Sequence, residues 1–338
     1  MAKKRIYNIK YLLLLSITAA LVCAAAASVS LYDTYKYTRE RAAFLAQSYG
    51  SQIRYELMDL YDDAFVLREL IEQGILDARG NKIAVNAKGY RNMSEIGIAR
   101  MDSVCAAFDD MTLIKNVSLA RAEGPVVDGV PAKSVISYCY PYEENKSALG
   151  LDLMSLPGRD DAISKVYQKQ GELVIEGPFR RVQDQELVLT GRVAVRNQDG
   201  SPWGFVAITL SMNPDSKHYA LQNINFAALD GQQYRYHLYK LENGSRLTIA
   251  ASNHEAMAMY GGRTYNIDLP NTKCILEVDR VGGWIGTKII FLNVGLAFLV
   301  WLLSTYGAKK WLENKEVQRE IREREEMLRQ IADRSEEH

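Results

Sequence analysis

Apolar residues in this chain gather into two long runs, over 6–31 and 286–307, and the residues between them follow shorter periods. Each run is long enough for a helix to cross a hydrocarbon core of ~30 Å. From Tyr32 to Gln73 there is no proline, and Gly50 is the only glycine. Apolar residues recur there at Leu45, Tyr49, Ile53, Leu57, Leu60, Ala64, Leu67 and Ile71. Steps of three and four define one helical stripe. The pattern predicts a stalk helix over 32–74 that packs on the folded body and on a second copy of the chain, with Gly50 as a kink or a weak point.

Beyond Gly74 the period shortens. Strands are predicted at Asn116–Ala122, Ser134–Tyr140, Leu173–Glu176, Glu186–Val195 and Trp203–Ser211, the last two joined by the turn residues Asn197–Ser201. One helix is predicted between Gly158 and Gly171, with Ile163, Val166 and Tyr167 on its apolar face. Further strands follow at Tyr234–Leu241, Arg246–Ala251, Arg263–Leu269 and Cys274–Val278, with Asn243-Gly244 as a hairpin signal. Such a mixture predicts an α+β body of two consecutive units, 75–218 and 219–284. In the tail, 308–338, the residues Asn314, Val317, Ile321, Arg324, Leu328, Ile331 and Ser335 fit a heptad seam with polar interruptions. This predicts a short, marginal dimeric coiled coil, the alternative being an unpaired amphipathic helix that continues the second run.

Charge sets the orientation. Lys3, Lys4, Arg5 and Lys10 precede the first run, and Lys309, Lys310 and Lys315 follow the second. Basic residues collect on the cytoplasmic side of membranes. Both termini are therefore expected inside and the middle outside, in a plasma or inner membrane. A cleaved signal peptide is the rival for the first run, given its basic start and the small residues Ala24 to Ser28. Lys and Arg together number 41, as do Asp and Glu, so no nucleic-acid partner is expected. Cys105, Cys139 and Cys274 show no disulfide spacing and are expected as buried thiols. His218, His237, His254 and His338 are scattered, with no Cys or acid at ligand spacing. No phosphate loop or nucleophile elbow appears. No cofactor and no metal are expected, and the chain as given is expected not to be an enzyme. Asn293 lies inside the second run, where it needs a partner: its copy in a second chain, the first run, or interfacial water.

The most distinctive stretch is Pro141 to Met154, which ends in Gly150-Leu151-Asp152-Leu153-Met154. Pro157, Arg159, Ala162, Ile163 and Gly171 follow, then Gly177-Pro178-Phe179-Arg180, Leu187-Val188-Leu189-Thr190 and Trp203-Gly204-Phe205-Val206. This order resembles the CHASE sensor domain, the extracytoplasmic module of plant cytokinin receptors and of many bacterial histidine kinases and diguanylate cyclases. The likeness covers Val117 to Ser211, and Ala194-Val195 stands where the family usually has Pro-Val. Tyr236-His237-Leu238-Tyr239 with Asn243-Gly244-Ser245 is similar to the membrane-proximal part of the bacterial receptors.

The resemblance implies a stalk helix and two tandem PAS-like domains, the distal one holding a small-molecule ligand. It also implies that Asp152 stands where the cytokinin receptors hydrogen-bond adenine, with a backbone group of Val174 or Ile175 completing the ligand edge. The residues alone leave Asp152 open. Leu151 and Leu153 would face one side and Asp152 the other, where it meets a ligand, caps a helix or pairs with Arg159. Tyr138, Tyr140 and Thr190 are further pocket candidates. The function expected is a homodimeric transmembrane receptor that senses an extracytoplasmic small molecule and relays it through the coiled coil. The alternatives are the sensory part of a longer signalling enzyme and a surface binding module without signalling.

Overall fold

A computed structural model describes residues 2–74, 88–90, 93–108, 111–252 and 261–336. His254, His338 and the expected start of the distal unit at 75 lie outside the described residues, as do the side chains of Ile331 and Ser335. Helix α1 (Ala2–Glu72) runs unbroken through the expected span, the stalk and Gly50. The chain divides into two units, one of Met1–Arg41 with Val281–His338, the other of Ala42–Arg280.

The first unit holds the beginning of α1 and helix α6 (Thr287–Glu336). Both helices are long and apolar enough to cross a membrane, by length and composition. The Trp301 indole N–H donates to the Ser16 carbonyl at 3.1 Å, and the Thr38 hydroxyl donates to the Trp284 carbonyl at 2.7 Å. The partner's number falls as the other rises, so the two segments run antiparallel. Leu14, Leu21, Val22, Phe291, Leu292 and Leu303 are exposed, an apolar surface that water solvates poorly. The Asn293 amide donates to the Ile289 carbonyl of its own helix at 2.9 Å.

The second unit contains two antiparallel sheets laid along the rest of α1. Strands β1 (Ile114–Val127), β2 (Val130–Tyr140), β3 (Leu173–Arg180), β4 (Leu187–Arg196) and β5 (Pro202–Ser211) form a sheet in the order β2-β1-β5-β4-β3. Strands β6 (Tyr234–Glu242), β7 (Ser245–Ala251), β8 (Arg263–Leu269) and β9 (Thr272–Arg280) form another in the order β7-β6-β9-β8. The helices of this unit are α2 (Glu95–Ala106), α3 (Tyr142–Asn145), α4 (Asp160–Gln168) and α5 (Ala227–Gly231), with short 3-10 turns at Lys146–Ala148 and Leu153–Ser155.

The predicted stripe is the face of α1 that meets these sheets. Leu45, Ile53, Leu57, Leu60, Ala64, Leu67 and Ile71 are all at most 5% exposed, and Tyr49 stacks on Phe226. Gly50 lies within the continuous helix, and the structure supplies a packing reason for glycine there. A Cβ there would stand 2.3 Å from the Tyr265 ring, so glycine lets α1 and β8 approach closely. At Gly191 the same spacing admits the buried ring of Tyr61.

Asn243 and Gly244 both take positive φ, 49° and 79°, which a two-residue turn between twisted strands requires. Asp128 and Gly129 (φ 51° and 78°) do the same between β1 and β2, a hairpin the sequence reading did not single out. Helix α2 was also not foreseen. Its Ser94 cap accepts from the Gly97 N–H at 3.0 Å, and Ile98, Met101 and Cys105 make its buried face. The four cysteines are free, and burial pushes the thiols of Cys105, Cys139 and Cys274 up to about 12.

His237 in β6 is buried, its Nε2 at 2.9 Å from the Thr248 hydroxyl and its Nδ1 without a partner among the described residues. Burial lowers its pKa below the ordinary 6.5, Arg246 lowers it further, and Glu277 opposes both. The unfolded chain therefore takes up this proton first. The contribution is fully present above pH 6.5 and is lost as pH falls through the lower folded value. The melting midpoint is expected to drop on acidification below that pH, and His237→Gln to flatten the dependence. A profile in the variant as steep as the wild type's removes His237 from this role.

Candidate ligand-binding site

Two glycines of the distinctive stretch have steric causes. Gly204 in β5 has φ 150°, and a Cβ there would lie 1.9 Å from the Ala120 carbonyl oxygen of β1. Gly177 in β3 has φ 114°, and a Cβ there would lie 2.7 Å from the Val188 carbonyl oxygen. The Gly177 carbonyl accepts from Lys240 Nζ and Thr272 Oγ1, each at 2.8 Å, which joins β3 to the second sheet. Ala194 pairs with Phe205 and Val195 with Gly204, and the register of β4 against β5 shifts directly afterwards, between Val195 and Arg196.

These strands carry a cavity of about 60 Å³ on one face of the five-stranded sheet. Its floor is built by alternation, from Asn116 and Ser118 on β1, Thr190 and Arg192 on β4, and Ala207 and Thr209 on β5. Ile136, Ala148, Leu151, Leu153 and Leu156 form an apolar wall. Phe179, Arg181 and Arg159 form the rim.

The cavity is cationic. Arg192, 2% exposed, donates from Nη1 to Glu176 Oε2 at 2.6 Å. Arg159 approaches the same carboxylate at 4.0 Å and lies over the Phe179 ring at 3.6 Å. Burial holds the Arg159 pKa below normal, and Arg192 lowers it further against the pull of Glu176. Arg181 donates to Asn145 Oδ1 at 3.2 Å and pairs with Asp184 at 3.3 Å. Thr190 and Thr209 hydroxyls meet at 3.2 Å. Arg192 Nε and Asn116 Oδ1 are buried without a hydrogen-bond partner among the described residues.

Of the residues singled out from sequence, Thr190 lines this cavity. Asp152 does not, although its neighbours Leu151 and Leu153 do. Its Oδ1 accepts from the Ser134 N–H at 3.0 Å and the Met154 N–H at 3.1 Å, capping the turn at Leu153–Ser155. Val174 belongs to the apolar core beside the cavity, with Ile163, Val166 and Phe205. The Ile175 N–H donates to the Pro270 carbonyl at 2.9 Å, so the backbone group expected at the ligand edge ties β3 to the β8–β9 turn. Tyr138 is buried elsewhere, donating to Asp102 at 2.6 Å and stacking on Tyr90. Burial raises the phenol pKa of Tyr138, and of Tyr140 at the end of β2, which is not a cavity residue either.

Arg181 and Arg192 were not singled out from sequence, and Arg159 was named there only in the motif and as a partner for Asp152. A readable signal existed for one of them: Arg192 interrupts the apolar run Leu187–Val195, and a charge inside a covered strand needs a partner. As a cap, Asp152→Ala is expected to cost about 1 kcal/mol of stability while leaving binding at the cavity unchanged. Denaturant melts and ligand titration of this variant separate the two roles, and a loss of affinity at unchanged stability would return Asp152 to the ligand.

Residues 106–238 match the family model of the CHASE domain, and the chain therefore carries a CHASE domain. Among curated proteins none matches the chain. Three solved structures are similar to this chain. An extracellular ligand binding receptor from Desulfohalobium retbaense DSM5692 is 15% identical, with a TM-score of 0.44 over 70% of this chain. This chain covers 40% of that receptor's length. The ligand-binding domain of the Pseudomonas aeruginosa PAO1 amino acid chemoreceptor PctC, in complex with GABA, is 14% identical, with a TM-score of 0.42 over 71% of this chain and 98% of its own. The periplasmic sensory domain of the Campylobacter jejuni chemoreceptor Tlp1 is 12% identical, with a TM-score of 0.45 over 76% of this chain and 98% of its own.

Proposed function

We propose that this chain is a membrane receptor whose CHASE domain binds a small molecule outside the cytoplasm and whose helices pass the event inward. The observation that carries this reading is a polar cavity in a CHASE domain bracketed in sequence by two long apolar helices. The apolar beginnings of α1 and α6 are the membrane spans, and the basic residues beyond them hold both termini in the cytoplasm. The chain senses and relays, and does no chemistry itself. Its output belongs to a signalling enzyme, in the same polypeptide or a separate one.

The receptor acts as a homodimer. Phe44, Tyr55 and Val66 are exposed on α1, each eleven residues from the next. Eleven residues turn a helix just over three full times, so the three share a face, and such a repeat suits a right-handed helix pair. Val317, Ile321 and Leu328 are exposed on the tail of α6 and form the apolar part of its seam. In this reading a ligand against Phe179 moves β3, and Gly177 hands the shift to Lys240 and Thr272 of the second sheet. From there β9 leads along the chain into α6. A ligand biases such a relay only by its difference in affinity between the two states.

The test is protease added to intact cells that express the full chain. Cleavage within 75–284 with the tail from 308 protected is the expected pattern, and the reverse pattern refutes the topology. Cysteine at Tyr55 is expected to cross-link two copies in membranes. Cross-linking no greater than that of a cysteine on the buried stripe, at Leu57, refutes the stalk dimer.

A further inference from the structure

The cavity has more positive charge than its own carboxylates balance. Arg159, Arg181 and Arg192 line it, and Lys115 pairs with Asp184 and Glu186 behind Arg181. Against these four cations stand three carboxylates, Glu176, Asp184 and Glu186. Among the described residues one positive charge is left over in a cluster whose Arg181 and Arg192 are buried, and an unbalanced buried charge is costly. A guanidinium offers five N–H donors, and Arg192 Nε has no acceptor among the described residues. Asn116 Oδ1, at a residue only 7% exposed, is an acceptor without a donor among the described residues. Both residues are on the floor. A ligand that completes this site brings one negative charge and, beside it, one hydrogen-bond donor.

Size and the remaining wall narrow the class. A cavity of about 60 Å³ holds roughly four water-sized groups. The wall of Leu151, Leu153 and Leu156 accepts a methyl group but gives an ammonium no partner. An amino acid adds no net charge and sets its ammonium among guanidiniums, so the surplus would persist. Resting on the sensor reading above, we infer that the ligand is a small 2-hydroxy acid. Its carboxylate is held by the arginines, its hydroxyl donates to Asn116 Oδ1, and its short carbon chain lies on the leucine wall.

The test uses the full chain in nanodiscs, with calorimetric titration and thermal shift. The probes are lactate and glycolate, with lactamide as the neutral match, propionate as the match without the donor, and alanine and adenine as competitors. Lactate or glycolate is expected to bind at least about tenfold tighter than lactamide and about fivefold tighter than propionate. Asn116→Leu is expected to bring lactate down to the affinity of propionate. Asn116→Asp keeps the shape and supplies the missing negative charge, so it should fold as the wild type does and weaken lactate at least about tenfold. Equal binding of lactamide, tighter binding of alanine or adenine, or no response to either hydroxy acid overturns the assignment. If alanine or adenine binds and Ala207→Leu, which fills the cavity, abolishes that binding, only the ligand class has failed. If any probe binds equally well to Ala207→Leu, the sensor reading of this cavity fails with it.

Discussion

Gly204→Ala is expected to unfold the CHASE domain. The added carbon would stand 1.9 Å from the Ala120 carbonyl oxygen, far inside contact distance. That oxygen is backbone, and β1 is held between β2 and β5, so it cannot swing aside as a flexible side chain would. The φ of 150° adds strain for any residue with a side chain. A clash that separates two central strands belongs with the largest single-residue effects, about 4–5 kcal/mol or more, out of a total stability of order 5–15 kcal/mol. Gly200→Ala is the control. Gly200 also has positive φ, 82°, but a Cβ there meets nothing within 4 Å, so the expected cost is about 1 kcal/mol. Circular-dichroism melts of the two variants check the difference. Gly204→Ala melting within a few degrees of Gly200→Ala would show that β1 and β5 do not approach as closely as described.

Arg192→Met is expected to be nearly as damaging, for an electrostatic reason. Its guanidinium is the close partner of Glu176 at 2.6 Å, and the second partner, Arg159, is 4.0 Å away. Removing one member of a buried pair leaves the other charge stranded, at a cost of about 3–5 kcal/mol. Glu176→Leu made in the same chain should recover most of that loss, because replacing both charges by apolar groups is often neutral. The double variant separates folding from binding: it is expected to fold and, without the Arg192 guanidinium on the floor, to bind carboxylates more weakly than the wild type. A double variant as unstable as the single one would mean that Arg192 supports the sheet by some other contact.

The parts of this molecule that were legible in its sequence are those written in short periods. The apolar stripe of α1 announces a buried helix face because its steps match the helical turn, and β4 and β5 announce themselves by branched residues around turn signals. Asn243-Gly244 names its turn because few other residues take positive φ twice in succession. The site was less legible because its geometry is not local. Arg159, Arg181 and Arg192 belong to a helix start, a strand end and a strand centre, and only the sheet order brings them to one cavity. Asp152 drew attention through its motif, yet its carboxylate is occupied by two backbone N–H groups, and the leucines beside it face the cavity. Gly50 illustrates the same limit. Its sequence context spoke of weakness, and the cause, the ring of Tyr265, is supplied by a strand more than two hundred residues away.

The claim on which the account depends is that a small molecule bound in this one cavity is what the receptor reads. Ala207→Leu replaces the small apolar residue of the floor with a larger apolar side chain that occupies the cavity. Thermal shift of the full chain against a panel of small metabolites, run side by side on the wild type and this variant, tests the claim directly. Every compound that raises the wild-type midpoint is expected to lose its effect in Ala207→Leu. A compound that stabilises both proteins equally would place the ligand elsewhere.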